Sequence, residues 1–390
     1  MSLAAGHPSI AIPGPSPLPD RVMRAAHRAS PDIYGDELAQ VNLRVIAQLK
    51  RLAGTSANLA PYIGNGHAGW EAAAVNMFHP GDLALVLVSG HFGRSWAELL
   101  TQLGVAVETL DFGNAPALPE RLAQRLADDP EGRITAVLVC QTDTASGACA
   151  DIPGLRDAMG DHPALLVVDA IASLGCAPMM MDDWGVDVLI SASQKGIMVM
   201  PGTAFVWFSD KAAARGKSPL TSPYWDWHLR AGAEALWRFW GGTPPVQHIF
   251  ALDEALRMIL DEEGLIAVWA RHAALARAVW AAADAWGAGN PDIRLSVADP
   301  MARAASVTAM KIPGADGLRA WLSEQCGVTL GIGLGAAEPE NALRVAHMGY
   351  ANAATVLGIL GCMEAGLTAL DIPHGPAALE AAARVIAEPA

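Results

Sequence analysis

The sequence predicts an α/β fold in which a large domain, built on a mostly parallel sheet covered by helices, precedes a smaller C-terminal α/β domain. Short apolar runs alternate with segments of helical period from about residue 60 to 210. These runs are apolar throughout, which is typical of strands buried on both faces. The alternation stops after Ser209 and Asp210, and a second, shorter α/β pattern follows at residues 290–390.

The large domain is predicted to place its helices between the strands of one sheet. Strands are predicted at residues 83–88, 105–110, 135–140, 165–169, 187–191 and 203–208. Helices are predicted at residues 36–52, 69–78, 95–102, 118–127 and 152–159. Residues 216–245 are rich in Trp, Pro and Gly and have no clear period, so no element is assigned there.

Two Ala-rich helices, at 250–262 and 264–286, lead into the smaller unit. That unit is predicted to contain strands at 293–297, 305–312 and 343–346 and helices at 318–325, 353–370 and 377–386. We therefore divide the chain into an N-terminal lead segment (1–20), a large domain (21–263) and a small domain (264–390).

Composition narrows the classes of partner and the compartment. Of 390 residues, 52% are hydrophobic and 17% charged, which allows a large buried core. The net charge of −14 argues against nucleic acid or an anionic membrane surface as a partner. The five cysteines are scattered, which favours reduced thiols over disulfides or a zinc site. With no secretory signal and no stretch long enough to span a bilayer, the predicted location is cytoplasmic.

One lysine and one aspartate carry the strongest chemical signal. Asp169 ends an apolar strand, and Lys195 follows the next strand, 26 residues later. A lysine can form a Schiff base with the aldehyde of pyridoxal 5'-phosphate (PLP), and a carboxylate can keep the pyridine nitrogen of that cofactor protonated. The alternative is that Lys195 is an ordinary surface lysine. We expect PLP to bind at the ends of these two strands.

A glycine-rich turn at residues 64–69, Gly-Asn-Gly-His-Ala-Gly, opens a predicted helix. Backbone N–H groups at such a helix start can face an anion, so we expect a phosphate seat there. The same residues match G-x-G-x-x-G, which would indicate a nicotinamide-dependent dehydrogenase. Residues 58–62 make a poor buried strand because Pro61 interrupts them, which counts against that alternative. A plain helix-capping turn is the third possibility.

Two further segments follow strands of the predicted sheet. Phe92 lies at a strand-to-helix corner, where an aromatic ring can stack on a pyridine ring, although a core role is also open. Residues 143–147 (Asp-Thr-Ala-Ser-Gly) offer small hydroxyl groups near a ring substituent, or form an ordinary turn. Ligands of open α/β sheets bind at the carboxyl ends of parallel strands, where these segments are expected to meet.

Together these motifs resemble the class-V, fold-type I PLP aminotransferases, in the alanine–glyoxylate and serine–glyoxylate (serine–pyruvate) branch. The similarity extends from Pro13 to Arg344, nearly the whole chain. Its specific pieces are residues 64–67 with 71–73, 168–175, 191–195 with 201–203, and 343–349. The implied fold is that of a fold-type I PLP transferase.

The resemblance also implies a role for each matching residue. Lys195 would be the Schiff-base lysine and general base, and Asp169 the partner of the pyridine nitrogen. Arg344 would grip the substrate α-carboxylate, a role that suits the fork of a guanidinium. The remaining cofactor contacts would come from Gly66 and His67 at the phosphate, Phe92 on the ring, Thr144 near the ring hydroxyl, Gln194 beside the lysine and the phosphate, and Trp240 and Thr243 at the cofactor phosphate of the neighbouring subunit.

The implied activity is ping-pong transfer of the amino group of a small L-amino acid (serine, alanine or aspartate) to a small 2-oxo acid such as glyoxylate. Residues shared between subunits imply a homodimer. Alternatives of the same fold are a PLP-dependent lyase or cysteine desulfurase and a pyridoxamine–pyruvate or ureidoglycine–glyoxylate aminotransferase. Gln194 stands where desulfurases usually have His, and the loop 331–335 has no Cys, so a desulfurase is disfavoured. A non-catalytic binding protein would not need Lys195, Asp169 and Arg344 together.

Overall fold

The strands and helices alternate along much of the chain in the computed structural model, which describes residues 2–388. In chain order the strands are β1 (Ser9–Ala11), β2 (Asn58–Gly64), β3 (Leu83–Val88), β4 (Ala106–Asp111), β5 (Ile134–Cys140), β6 (Thr142–Asp143), β7 (Ala148–Cys149), β8 (Leu165–Asp169), β9 (Val188–Ala192), β10 (Gly202–Phe208), β11 (Arg294–Leu295), β12 (Val307–Lys311), β13 (Val328–Ile332) and β14 (Ala342–Ala346).

The α-helices are α1 (Asp20–Ala26), α2 (Asp36–Leu52), α3 (Gly66–Met77), α4 (His91–Gln102), α5 (Pro119–Ala127), α6 (Ile152–Met159), α7 (Asp210–Ala213), α8 (Trp227–Arg230), α9 (Leu236–Phe239), α10 (Val246–Arg257), α11 (Leu265–Gly289), α12 (Ala315–Cys326), α13 (Ala353–Ala369) and α14 (Ala378–Ala387). A π-helical turn, Met258–Glu263, continues α10.

The larger sheet has seven strands in the order β2-β10-β9-β8-β5-β3-β4. All neighbours from β9 to β4 are parallel, whereas β10 runs antiparallel to both β9 and β2. The predicted mostly parallel sheet is therefore confirmed. Leu166 packs in the apolar layer that contains α2, α5, α6 and α10, and the adjacent Val167 packs in the layer with α3 and α4. Both faces are covered, which explains why the central strands β3, β5 and β8 are apolar at nearly every position.

The second sheet has five strands in the order β1-β13-β14-β12-β11. Strand β1, from the lead segment, pairs in parallel with β13, and the other neighbouring strands are antiparallel. Helix α11 begins against the core of the larger sheet at Val268 and continues into the core of the second sheet from Leu275 to Trp286. The boundary between residues 263 and 264 thus lies just before a helix that contacts both cores, and it stays a prediction.

The structure corrects the interpretation of residues 58–62. They belong to β2, which within residues 2–388 pairs with β10 only and is therefore an edge strand, where proline is tolerated. The glycine-rich turn does join a strand to a helix. However, four strands separate β2 from β3 in the sheet, so the adjacent parallel strands of a dinucleotide-binding unit are not formed.

Several elements differ from the sequence-based expectation. Helices α3 and α4 begin at Gly66 and His91, three or four residues before the predicted starts. Strands β1 and β13 and helix α1 were not predicted, and two four-residue helices, α8 and α9, lie in the segment without a clear period. The earlier starts of α3 and α4 matter most, because they bring helix N-termini to the carboxyl edge of the larger sheet.

Candidate active site

A cavity of about 200 Å³ lies at the carboxyl edge of the larger sheet. The ends of β8 and β9 and the first turns of α3 and α4 contribute to its walls. It is lined by Asn65, Gly66, His67, Trp70, Phe92, Thr142, Thr144, Asp169, Ile171, Ala172, Gln194 and Lys195. Seven of the ten predicted site residues are among them, and Trp240, Thr243 and Arg344 are not.

Asp169 is the last residue of β8 and its side chain is held by hydrogen bonds inside the protein. It is 5% exposed. The backbone N–H of Ile171 donates to Oδ1 at 2.7 Å, and the indole N–H of Trp70 donates to Oδ2 at 3.1 Å. Burial raises the pKa of Asp169 to about 6, while these bonds and the positive charge of Lys195 act in the opposite direction. The carboxylate is thus fixed at the base of the cavity.

Lys195 lies three residues beyond β9 and is 8% exposed. Burial lowers its pKa to about 8; the charge of Asp169 opposes this effect and that of Arg344 adds to it. Its Nζ lies 5.7 Å from the centre of the Phe92 ring. A lysine with this pKa is partly neutral near pH 8 and can act as a nucleophile or a base.

The lead segment packs directly against this lysine. The Ser16 hydroxyl donates to the Lys195 carbonyl at 2.7 Å. Gly14 has φ +96°, and a Cβ on it would lie 2.7 Å from the Lys195 Cε. Only glycine combines this left-handed backbone conformation with so close an approach. Residues 14–16 therefore restrict the position of the Lys195 side chain.

The first turn of α3 forms one end of the cavity. Asn65 caps the helix, because its side-chain oxygen accepts a hydrogen bond from the His67 N–H at 3.1 Å. A Cβ on Gly66 would lie 2.5 Å from the Ile171 Cδ1, so glycine lets the helix start this close to β8 without displacing that side chain. The first N–H groups of a helix lack partners within it and favour an anion. This end of the cavity suits a phosphate.

Phe92 is brought to the cavity by a buried aspartate that sequence reasoning did not single out. Asp143 Oδ2 accepts hydrogen bonds from the N–H groups of Phe92, at 2.8 Å, and Gly93, at 3.1 Å. The carboxylate thereby satisfies the N-terminus of α4. This arrangement fixes the backbone of the aromatic residue relative to Lys195.

Arg344 reaches the cavity region from the second sheet. On β14 it pairs with Ala309 of β12 and Gly331 of β13. Its Nη1 donates to the Thr144 carbonyl at 2.9 Å and its Nε to the Ile332 carbonyl at 2.8 Å. Burial lowers the pKa of Arg344 to about 10, and the charge of Asp143 opposes this. Because Thr144 lines the cavity, the Arg344 guanidinium directly contacts a residue of the cavity wall.

The other two predicted residues lie elsewhere in the subunit. Trp240 is 1% exposed, and its indole N–H donates to Asn42 Oδ1 at 2.8 Å. An indole has one donor, so this N–H is already engaged within the subunit, and the predicted role of Trp240 at a neighbouring subunit's cofactor stays a prediction. Thr243 is exposed, and its predicted role in a dimer stays a prediction.

The residues present fit PLP on structural grounds. The cavity combines a buried amine, a buried carboxylate and a helix N-terminus, which match the aldehyde, the ring nitrogen and the phosphate of that cofactor. In addition, Gln194 Oε1 is buried and makes no hydrogen bond within residues 2–388. A buried polar atom without a partner indicates that a bound group completes the site.

Within residues 2–388 no helix is long and apolar enough to cross a bilayer. Nor does this part of the chain bring together three or more His, Cys, Asp or Glu side chains in a group that could hold a metal ion.

Comparison with known proteins assigns the family. The chain is 32% identical to a serine–glyoxylate aminotransferase of Methylorubrum extorquens, over 93% of this chain and 91% of that protein. It is 32% identical to an L-aspartate–glyoxylate aminotransferase of Paracoccus denitrificans, over 93% and 92%. The crystal structure of ureidoglycine–glyoxylate aminotransferase from Bacillus subtilis superposes with a TM-score of 0.88 at 26% identity, covering 100% of both chains.

The fold is that of the fold-type I PLP-dependent aminotransferases, as the sequence motifs predict. The family profile described as Aminotransferase class-V matches residues 47–354. The chain belongs to the class-V aminotransferase family and is an enzyme of that PLP-dependent class.

Proposed function

We propose that this enzyme transfers the amino group of a small L-amino acid to a small 2-oxo acid, with glyoxylate as the acceptor. The observation that carries the proposal is the burial of Lys195 and Asp169 in one cavity, with the Arg344 guanidinium bound to its wall. The names of the two relatives at 32% identity support glyoxylate as the acceptor.

We assign the cofactor contacts from the cavity lining. Lys195 would attach covalently to the PLP aldehyde carbon, and Asp169 would bind the ring nitrogen. The N-terminus of α3, at Gly66 and His67, would bind the phosphate, and Phe92 would pack on the ring. Thr144 would lie near the ring hydroxyl, and Gln194 would lie beside Lys195. When bound, PLP supplies an electron sink that makes the Cα proton of an amino acid easier to remove.

Three side chains of the protein would have separate roles in the reaction. Arg344 orients the donor through its α-carboxylate, because its Nε and Nη1 are already fixed by carbonyls and its Nη2 makes no hydrogen bond within the described residues. Lys195 would accept the Cα proton of the donor at Nζ, for which a pKa of about 8 leaves enough neutral amine. Asp169 holds the proton on the ring nitrogen while negative charge develops.

The donor that the cavity supports best carries one carboxylate, as serine and alanine do. A second carboxylate, as in aspartate, would need a second cation. The candidate arginines have other partners: Arg28 pairs with Glu37, Arg94 with Asp111, Arg230 binds backbone carbonyls, and Arg238 lies against Trp237. Because each has such a partner, and none is hydrogen-bonded to the cavity wall as Arg344 is to Thr144, we rank aspartate below serine and alanine.

A lyase or desulfurase is less well supported. A desulfurase needs a cysteine that can reach the substrate, and the cavity lining includes none. Cys326, at the end of α12, and the loop 331–335 do not supply one. A ureidoglycine donor, as in the name of the similar Bacillus subtilis structure, is an outcome that the donor test below can detect.

We further propose a homodimer that acts in the cytoplasm. The exposed Thr243 would serve the neighbouring subunit's cofactor phosphate, which makes the active sites shared. All five cysteines are free, which suits a reducing compartment. Gel filtration with light scattering tests the dimer, and Thr243→Val should weaken PLP binding without changing the monomer fold.

The deciding experiment follows the visible absorption of the PLP-loaded protein as single donors are added without a 2-oxo acid. Serine or alanine should convert the spectrum to that of the aminated cofactor, and glyoxylate should restore it. Conversion by aspartate alone would overturn the donor ranking. If ureidoglycine converted the spectrum, or if none of the amino acids did, the donor assignment would be wrong. A protein that never takes up PLP would refute the proposed function.

A further inference from the structure

Trp70 occupies a central position in the wall of the cavity. It lies on α3 and is 1% exposed. Its ring centre is 4.7 Å from that of His67 and 6.4 Å from that of Phe92, and it stacks on Trp96 at 5.5 Å. Its only polar atom, Nε1, donates to Asp169 Oδ2. Trp70 therefore contacts three of the residues proposed to bind the cofactor.

The two oxygens of Asp169 have different partners. The Ile171 backbone N–H donates to Oδ1, and this bond does not depend on the side chain of Ile171. Oδ2 has the Trp70 indole at 3.1 Å and the Cys140 thiol at 3.5 Å. A thiol is a weak donor, so the indole is the main support of Oδ2. When a buried carboxylate loses such a donor, no hydrogen bond offsets the free-energy cost of removing it from water.

We propose that Trp70 is a positioning residue for the reaction: its indole N–H orients Asp169 and keeps its carboxylate ionised, so that Asp169 can hold the proton on the cofactor ring. The part of this inference that concerns the ring rests on the proposed function. The contact between Trp70 and Asp169 does not, and it can be tested in the protein without cofactor.

The charged and titratable groups that face Asp169 are known from the elements packed around it. Lys195, beyond β9, brings a positive charge, and Cys140, at the end of β5, brings a thiol whose pKa burial raises. His67 lies on the far side of Trp70, and burial lowers its pKa. Measurements at pH 5 and pH 7 lie below the Lys195 pKa of about 8, so the lysine stays mostly protonated in both.

The chain offers a matched control in Trp96. It is also fully buried and stacks on Trp70, but its indole nitrogen makes no hydrogen bond within residues 2–388. Trp70→Phe and Trp96→Phe therefore remove the same atoms from neighbouring positions. Only the first removes a donor from Asp169.

The sign of the expected effect follows from proton linkage. The folded pKa of Asp169, about 6, exceeds its ordinary value of about 4. The folded state thus binds more protons than the unfolded state in this interval, and stability falls as the pH rises through it. Loss of the indole donor should raise the Asp169 pKa further, so the decrease in folding stability should continue to higher pH. We expect the melting temperature deficit of unloaded Trp70→Phe to grow from pH 5 to pH 7, whereas that of Trp96→Phe stays constant.

A second measurement covers the case in which Trp70→Phe does not fold. In the unloaded wild-type protein, tryptophan fluorescence should titrate with a midpoint near the Asp169 pKa of about 6, and Asp169→Asn should abolish that transition. Equal pH dependence of the two Phe variants, or a wild-type titration unaffected by Asp169→Asn, would overturn the inference.

The loaded enzyme provides the kinetic test. Trp70→Phe should lower kcat by up to about tenfold, the change for one pKa unit in the proton affinity of Asp169, and leave the donor KM within about twofold. The KM is expected to hold because Arg344, a separate group, binds the donor carboxylate. Equal kcat values for the two Phe variants would overturn the role in the reaction. Failure of every protein, wild type included, to bind PLP would instead refute the proposed function.

Discussion

The role of Arg344 gives the sharpest quantitative prediction, for the substitution Arg344→Lys. The arginine uses Nε and Nη1 to bind the carbonyls of Ile332 and Thr144, at 2.8 and 2.9 Å, which fixes the plane of its guanidinium. In the proposed function, the remaining N–H groups receive the donor carboxylate as a fork. Lysine keeps the positive charge, but one ammonium cannot bind both carbonyls and present two parallel donors to a carboxylate.

The expected loss can be worked out from this geometry. Replacing the fork removes at least one hydrogen bond to a charged group, which is worth about 1.5–3 kcal/mol. At about 1.4 kcal/mol per factor of ten, kcat/KM for the amino donor should fall about 10- to 150-fold. Most of the change should appear in KM, since the interaction already exists when the donor binds. PLP loading should be unchanged, because Arg344 does not line the cavity.

The assay is steady-state transamination from serine or alanine to glyoxylate, with PLP content measured by absorbance. The matched control is Arg319→Lys on α12, where the half-buried arginine pairs with the exposed Asp316. That variant should keep kcat/KM within about twofold of wild type. If Arg344→Lys also stayed within twofold at full PLP loading, Arg344 would not bind the donor carboxylate and the reasoning would be refuted.

Three further predictions concern the other side of the cavity. Asp169→Asn should lower kcat by at least about 100-fold with the fold retained, because an amide cannot hold the ring proton; circular dichroism and kcat measurements check this. The rate of PLP attachment to the unloaded protein should rise with pH and level off above about pH 8, where Lys195 is neutral; a rise that continued to pH 10 would mean that the lysine has its ordinary pKa. Gly14→Ala should reduce PLP affinity by at least about tenfold because its Cβ would meet the Lys195 side chain, whereas Gly104→Ala, also at positive φ but with open space around it, should only lower stability.

Much of the fold follows from local patterns in the sequence. The central strands β3, β5 and β8 are nearly continuous apolar runs, because helices cover both faces of their sheet. Short or edge elements lack such a signal. Strand β1 has three residues, and β2 contains Pro61, so each depends on a partner distant in sequence, β13 or β10. The preference of a short segment cannot reveal such a partner.

The site shows the same division between local and distant information. Residues at strand ends, such as Asp169 and Lys195, could be placed together because parallel strands share a carboxyl edge. The bond from Trp70 to Asp169 joins residues 99 apart, and no local spacing predicts it. The role of Trp240 at the neighbouring subunit's cofactor is implied by resemblance alone, and no local spacing predicts the bond from its indole to Asn42 on α2.

The most direct test of the central claim is to find which lysine binds PLP. The chain has only five lysines, and Lys195 is the buried one. Borohydride reduction of the PLP-loaded protein, followed by digestion and mass spectrometry, should find the modified lysine in the peptide that contains Lys195, in near-stoichiometric yield. Modification of Lys50, Lys211, Lys217 or Lys311 instead, or none at saturating PLP, would contradict the assignment of the active site.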